Sequence, residues 1–158
     1  MLLYHGSNII VQNPQVIESD RRLDFGKGFY LTSSFEQASR WAELTVNRRG
    51  VGKPVVSVFE IDESQLSELK VLHFNQAQKE WLEYVTLNRT NQNIPNDDYD
   101  IVIGPVVNDR TMPVISLYFA GIYDIEETLK RLMLQKLHDQ YTFRTEAALK
   151  ALKFLEVR

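Results

Sequence analysis

The sequence predicts an α+β protein, two small packed sheets with flanking helices. Three observations point to the class. Short runs of branched and aromatic residues alternate with longer segments of helical period. Their order does not repeat cleanly as strand–helix–strand, which disfavours a doubly wound parallel sheet. The 158 residues suit one domain, 1–158, large enough to bury a core without disulfide or metal staples.

The elements follow in order. LLYHGS (2–7) reads as a strand ending at Gly6. Residues 8–24 read as loop, punctuated by Pro14 and by Asn, Asp and Ser. GFYLT (28–32) is strand-like, and Ser33 with Glu36 makes a capping box for a helix behind it. Phe35, Ala38, Ala42 and Val46 form one stripe of that helix, with Trp41 beside it. PVVSVFEI (54–61) is a strand, followed by a short helix near SQLSEL and a strand in KVLHF. NQAQKEWLEYVTLNR is helical, with Trp81, Tyr84, Val85 and Asn88 in period. YDIVIGPVV (99–107) reads as a fully buried strand. RTMPVISLYFAG and DIEETLKRLMLQKL read as two helices, the first begun at Pro113 and ended by Gly121. QYTFRT is a strand, TEAALKALKF a short helix, and FLEVR a terminal segment.

Composition excludes several functions. The chain has no cysteine, so disulfides, a cysteine nucleophile and thiolate metal sites are out. His5, His73 and His138 lack metal-ligand spacing, so no metal is expected. There is no Walker or Rossmann phosphate loop and no GxSxG elbow. Net charge is −3, against a generally basic nucleic-acid binder. Arg21, Arg22, Arg48, Arg49 and Lys53 are either a local basic patch or solvated loop surface. The opening MLLYHGSN lacks signal-peptide regions. No apolar run approaches the roughly 20 residues that span a bilayer. A cytoplasmic location without membrane contact is expected.

Three strand-edge motifs remain. His5 stands in an apolar strand before Gly6 and Ser7; a glycine lets a ligand approach the backbone. Gly26 and Gly28 flank Lys27 before Phe29 and Tyr30. In that strand Phe29 and Leu31 share one face, while Tyr30 and Thr32 share the other and offer a ring and a hydroxyl. Late in the chain Tyr141 and Phe143 alternate with Gln140, Thr142 and Arg144.

These motifs resemble the ADP-ribosyltransferase superfamily, in the branch of diphtheria toxin and the poly-ADP-ribose polymerases, defined by a His–Tyr–Glu trio on separate strands. YHGS looks like the first motif, GKGFYLTSSFEQASRWA the second and DQYTFRT the third. From Leu3 to Phe154 the chain is also similar to a family of small bacterial proteins of unassigned activity. Those share HGS, DFGxGFYLT, YDIVIGPVxND and QxxFxT in this order.

The resemblance implies an ADP-ribosyltransferase-like split β-sandwich whose cleft binds NAD as substrate, without metal, in a single catalytic domain. His5 would bond a ribose, Gly6 the nicotinamide carboxamide, and Tyr30 would stack on the nicotinamide ring, with Ser7, Gly28 and Thr32 also against NAD. His5, Tyr30 and Gln140 would form the catalytic trio. Gln140 stands where the superfamily carries Glu; Glu146 is the other candidate for that charge, or else a first-turn helix carboxylate. Arg89 is a pyrophosphate partner or a helix C-terminal charge. Asn108 and Asp109 follow a buried strand; Asp109 is a site residue or the cap of the next helix.

The implied activity is transfer of ADP-ribose to a protein or nucleic-acid acceptor, as a toxin checked by a small antitoxin-like protein. Two alternatives stand. One is a transferase directed at nucleic-acid phosphate, with Arg21, Arg22, Arg48 and Arg144 lining a basic cleft. The other is an inactive module that binds NAD or ADP-ribose.

Overall fold

The computed structural model describes residues 1–19 and 21–158. Among these, β1 (Leu2–Ser7), β3 (Val55–Ile61) and β7 (Leu152–Val157) form a sheet in the order β1-β3-β7. A second sheet has the order β2 (Phe29–Leu31), β6 (Asp139–Phe143), β5 (Ile101–Pro105), β4 (Val71–His73). The pairs are antiparallel except β4–β5. There a parallel crossover is made by α2 (Lys79–Arg89), as such a pair demands.

Two-residue alternation sorts the side chains into layers. Leu3, Phe29, Leu31, Phe59, Ile61, Ile101 and Phe143 meet in one core drawn from both sheets. The next residue along in two strands, Tyr30 and Val102, turns to the opposite face. There Phe25, Trp81, Leu82, Val85, Ile115 and Leu132 build a second core. That core lies under α2, α3 (Met112–Phe119) and α4 (Ile125–Leu132). The outer face of the first sheet meets α1 (Phe35–Arg49). Gly6 makes that contact possible: a Cβ there would fall 1.8 Å from the Ala38 carbonyl oxygen.

The two-sheet α+β architecture expected from the sequence is therefore present, with local corrections. α1 is capped by Ser34, whose Oγ accepts from the Gln37 amide at 3.2 Å. Ser33 is not the cap; its Oγ donates to Asp139 at 2.6 Å. α4 ends at Leu132, short of the expected LMLQKL extension. Met133 and Leu134 are 81% and 83% exposed, so the tertiary packing that sustains a helix is missing there. The expected helix over residues 145–154 is a single turn, α5 (Glu146–Leu149). Leu152 to Phe154 pair with β3 instead.

Candidate active site

A cavity of about 960 Å³ opens beside the point where β1 and β2 part. The two strands touch in one bridge, Tyr4 to Thr32, with N–H···O distances of 2.8 and 3.0 Å. Backbone groups in an extended strand alternate sides. Gly6, two residues past Tyr4, therefore turns its N–H and C=O away from β3, toward the gap. A ligand carboxamide fits such a free donor–acceptor pair. The tight approach that Gly6 permits, however, is filled by α1, not by a ligand.

His5 is half-buried and stacks on Phe29, ring centroids 4.2 Å apart. Its Nδ1 lies 2.7 Å from the Tyr30 carbonyl oxygen. A carbonyl only accepts, so Nδ1 carries the proton and Nε2 is left as an acceptor. Burial lowers the His5 pKa to about 4, the nearby Arg49 adding to the effect against the Tyr30 hydrogen bond. The ring is neutral at physiological pH and can accept from a sugar hydroxyl.

Tyr30 lines the same cavity. Its hydroxyl is already engaged: it donates to the Gly26 carbonyl at 2.5 Å and accepts from the Phe25 amide at 3.1 Å. These bonds close the 23–28 loop, where Gly26 adopts φ +75°. Burial, with Asp24 nearby, pushes the Tyr30 pKa up. What Tyr30 offers a ligand is its ring, not its hydroxyl. Gly28 stands where β2 closes on β6; a Cβ there would come within 2.5 Å of the Thr142 methyl.

Gln140 is 2% exposed and lines the cavity. Its Nε2 donates to Asp24 Oδ2 at 2.8 Å and to the Pro105 carbonyl at 3.3 Å. Asp24 is itself buried, and its other oxygen takes Arg89 Nε at 2.6 Å. The Val107 amide completes the set, donating to Oδ2 at 3.1 Å.

Ser7, Asn108 and Asp109 line the cavity as well. Asn108 Oδ1 accepts from the amides of Arg110 and Thr111, holding the turn before α3. Asp109 caps no helix; it accepts from Arg40 at 2.5 Å. Arg89 serves the site through Asp24.

Two expected contacts, those of Thr32 and Arg144, are corrected, and Glu146 takes the second of its two readings, a first-turn helix carboxylate. Thr32 is fully buried, donates to Asp139 at 3.3 Å and is not among the cavity-lining residues. Glu146 is exposed at the start of α5, after the Thr145 cap, and lies outside the cavity. Arg144 is withdrawn from any basic cleft by Asp97, with N···O distances of 2.7 and 2.9 Å. Of the proposed cationic patch, Arg21, Arg48 and Arg49 line the cavity, but Arg22 and Lys53 do not.

Sequence reasoning passed over Gln37, Arg40 and Asp24 as site residues. Gln37, Arg40, Trp41, Leu44, Thr45 and Arg48 recur at helical spacing and form one face of α1 along the cavity. The signal was present, hidden by the stronger alanine stripe. Trp41 brings a second aromatic ring to the cavity that Tyr30 lines. Asp24 had only weak signal, one acid between Leu23 and Phe25.

The family model described as "Protein of unknown function (DUF3990)" matches residues 1–154. The chain belongs to that family. No curated protein matches it. Among the described residues of this DUF3990 chain, no group of three or more His, Asp or Glu is placed to hold a metal. Nor is any helix of those residues long and apolar enough to cross a membrane.

Proposed function

We propose that the protein is an NAD-dependent ADP-ribosyltransferase. It would cleave nicotinamide from NAD and transfer ADP-ribose to a macromolecular acceptor. The observation that supports this best is convergence. The three motifs that resemble the superfamily sit on β1, β2 and β6, and His5, Gly6, Tyr30 and Gln140 all line one cavity. Its volume is within the range of roughly 300–1,000 Å³ typical of ligand sites.

In the proposed reaction the bond from ribose C1′ to the nicotinamide nitrogen breaks. Its electron pair goes to the pyridinium ring, which leaves as neutral nicotinamide. The ribose becomes oxocarbenium-like and takes a lone pair from the acceptor. Tyr30 and Trp41 would hold the ring by stacking. Gly6 would fix the carboxamide, and His5 Nε2 would accept from a ribose hydroxyl. Gln140 takes no proton, so an acceptor with a proton to lose would release it to water or to a base of its own.

A second reading is favoured by Arg21, Arg48 and Arg49 along the cavity. The acceptor would then be a nucleic-acid phosphate, whose ionised oxygen needs no base. Its mark would be salt-sensitive nucleic-acid binding. A toxin role held by a small antitoxin-like partner rests on the resemblance alone.

The test is nicotinamide release from NAD by purified protein, with and without cell lysate, alongside Tyr30→Ala and Gln140→Ala. Release that requires lysate and disappears in Tyr30→Ala supports a transferase. NAD binding without release under any condition would make the protein a binding module instead.

A further inference from the structure

Gln140 is the residue by which β6 reaches the cavity, and its chemistry is unusual. A primary amide is ambiguous: one end donates, the other accepts. Which end a ligand meets depends on what fixes the other. Here both neighbours of Nε2 are pure acceptors, the Asp24 carboxylate at 2.8 Å and the Pro105 carbonyl at 3.3 Å. A flipped amide would set its Oε1 against a carboxylate, which is repulsive. The sense of the amide is therefore forced. Oε1 has no hydrogen-bond partner among the described residues, yet is not one of their sealed, unsatisfied atoms. It belongs to a residue that lines the cavity.

Asp24 does not move freely. Arg89 holds Oδ1 at 2.6 Å and the Val107 amide holds Oδ2 at 3.1 Å. Arg89 closes α2 and Val107 follows β5. Gly26, two residues after Asp24, lies so near α2 that a Cβ would sit 2.8 Å from Asn88 Oδ1. The loop, the helix and the strand end thus converge on one buried carboxylate.

We propose that Asp24 is the positioning residue of the site: it locks the Gln140 amide so that Oε1 is presented to the substrate ribose as a fixed acceptor. This rests on the NAD reading above. It also names where the negative charge of the site resides. The charge sits one hydrogen bond behind residue 140 instead of on it, balanced by Arg89. Gln140 would orient a ribose hydroxyl, and its carbonyl dipole, aligned by Asp24, would face the developing positive charge at C1′. No proton transfer is assigned to either residue.

The arrangement predicts a transposition. In Gln140→Glu two carboxylates compete for one position, so that variant loses thermal stability and releases nicotinamide only as the pH is lowered. In Asp24→Asn the amide of residue 140 is no longer locked. Nicotinamide release falls at least tenfold in kcat, while the KM for NAD changes less than threefold. In the double variant Asp24→Asn/Gln140→Glu the carboxylate and the amide have exchanged places. Residue 140 again offers an oxygen to the cavity, and release recovers above the product of the two single effects with loss of the acid shift, but short of wild type, because the new amide at residue 24 meets the Val107 N–H and the new carboxylate at residue 140 meets the Pro105 carbonyl.

The experiment is steady-state nicotinamide release for the four proteins from pH 5.5 to 8.5, with melting temperatures to show that each is folded and NAD binding measured by calorimetry. Unchanged kcat in a folded Asp24→Asn overturns the proposal and leaves the NAD reading intact. A double variant no better than the product of the single effects also overturns it, because the two residues would then act independently. Wild type that neither binds NAD nor releases nicotinamide overturns the NAD reading and this proposal with it.

Discussion

Acidifying the protein from pH 7.5 to 5 should weaken it through one side chain. His5 titrates at about 4 in the folded chain and near 6.5 unfolded. Its folded pKa lies below its unfolded one, so between those values the unfolded chain holds more protons. Stability then falls as the pH falls. At pH 7.5 the contribution is close to zero. At pH 5 the unfolded imidazole is almost fully charged and the folded one largely neutral, a loss of about 2 kcal/mol. Near pH 4 it approaches the limit of about 3 kcal/mol, set by the full separation of the two pKa values.

The comparison that isolates this is His5→Gln. Glutamine can still donate to the Tyr30 carbonyl and does not titrate. Carboxylates elsewhere contribute equally to both proteins and cancel. Urea unfolding at pH 7.5, 6, 5 and 4.5 should therefore give two curves that converge toward acid, the wild type losing about 2 kcal/mol more than the variant by pH 5. Parallel curves would refute both the buried neutral imidazole and the free Nε2 acceptor that the site requires.

Gly6→Ala should destabilise the fold by about 3 kcal/mol or more, since a new Cβ must displace α1 backbone at 1.8 Å; chemical denaturation reads this directly. Arg144→Met leaves the half-buried Asp97 with the Tyr84 hydroxyl but without its cation and should cost about 2 kcal/mol, while nicotinamide release by the folded fraction stays at the wild-type level because Arg144 lies outside the cavity. Affinity for NAD should drop as sodium chloride is raised, and drop less steeply in Arg48→Gln; calorimetry at several salt concentrations measures both slopes.

Much of the frame was legible because it rests on local pattern. YDIVIGPVV reads as a strand buried on both faces, and its neighbours Ile101 and Val102 do fall in different cores. Trp81, Tyr84 and Val85 were periodic, and α2 buries all three. Where pattern and tertiary contact disagreed, contact won. LKRLMLQKL is helical in propensity, but nothing among the described residues covers Met133 and Leu134. LKF follows a helical run, yet its backbone completes the edge of β3. The site was half legible for a related reason. His5, Gly6, Tyr30 and Gln140 sit in short motifs at strand ends, whereas Glu146 was assigned by extending a parity past the end of its strand. Asp24 needs three partners to be recognised, and those partners lie on α2, β6 and the turn after β5.

The electrostatics of the cavity carry the same lesson in another form. Among the described residues, Arg21, Arg40, Arg48, Arg49 and Arg89 line it against Asp24 and Asp109, although the chain as a whole is acidic. Two of the cations are already matched, Arg89 by Asp24 and Arg40 by Asp109. Arg21, Arg48 and Arg49 have no carboxylate partner among the described residues, and burial, with Arg21 and Arg49 adding to it, lowers the Arg48 pKa. Like charges left together oppose folding unless something anionic joins them. A dinucleotide brings its negative charge on the pyrophosphate and its positive charge on the nicotinamide ring. In the NAD reading proposed above, the pyrophosphate would lie toward Arg48 and Arg49 in the last turn of α1. The paired, neutral Asp24–Arg89–Gln140 network lies at the mouth of β6, where the ring would leave. A full carboxylate at residue 140 would add attraction for the oxocarbenium, but it would also set two negative charges side by side with Asp24. Glutamine avoids that conflict, which is why its presence argues for a working acceptor and not simply for a lost acid.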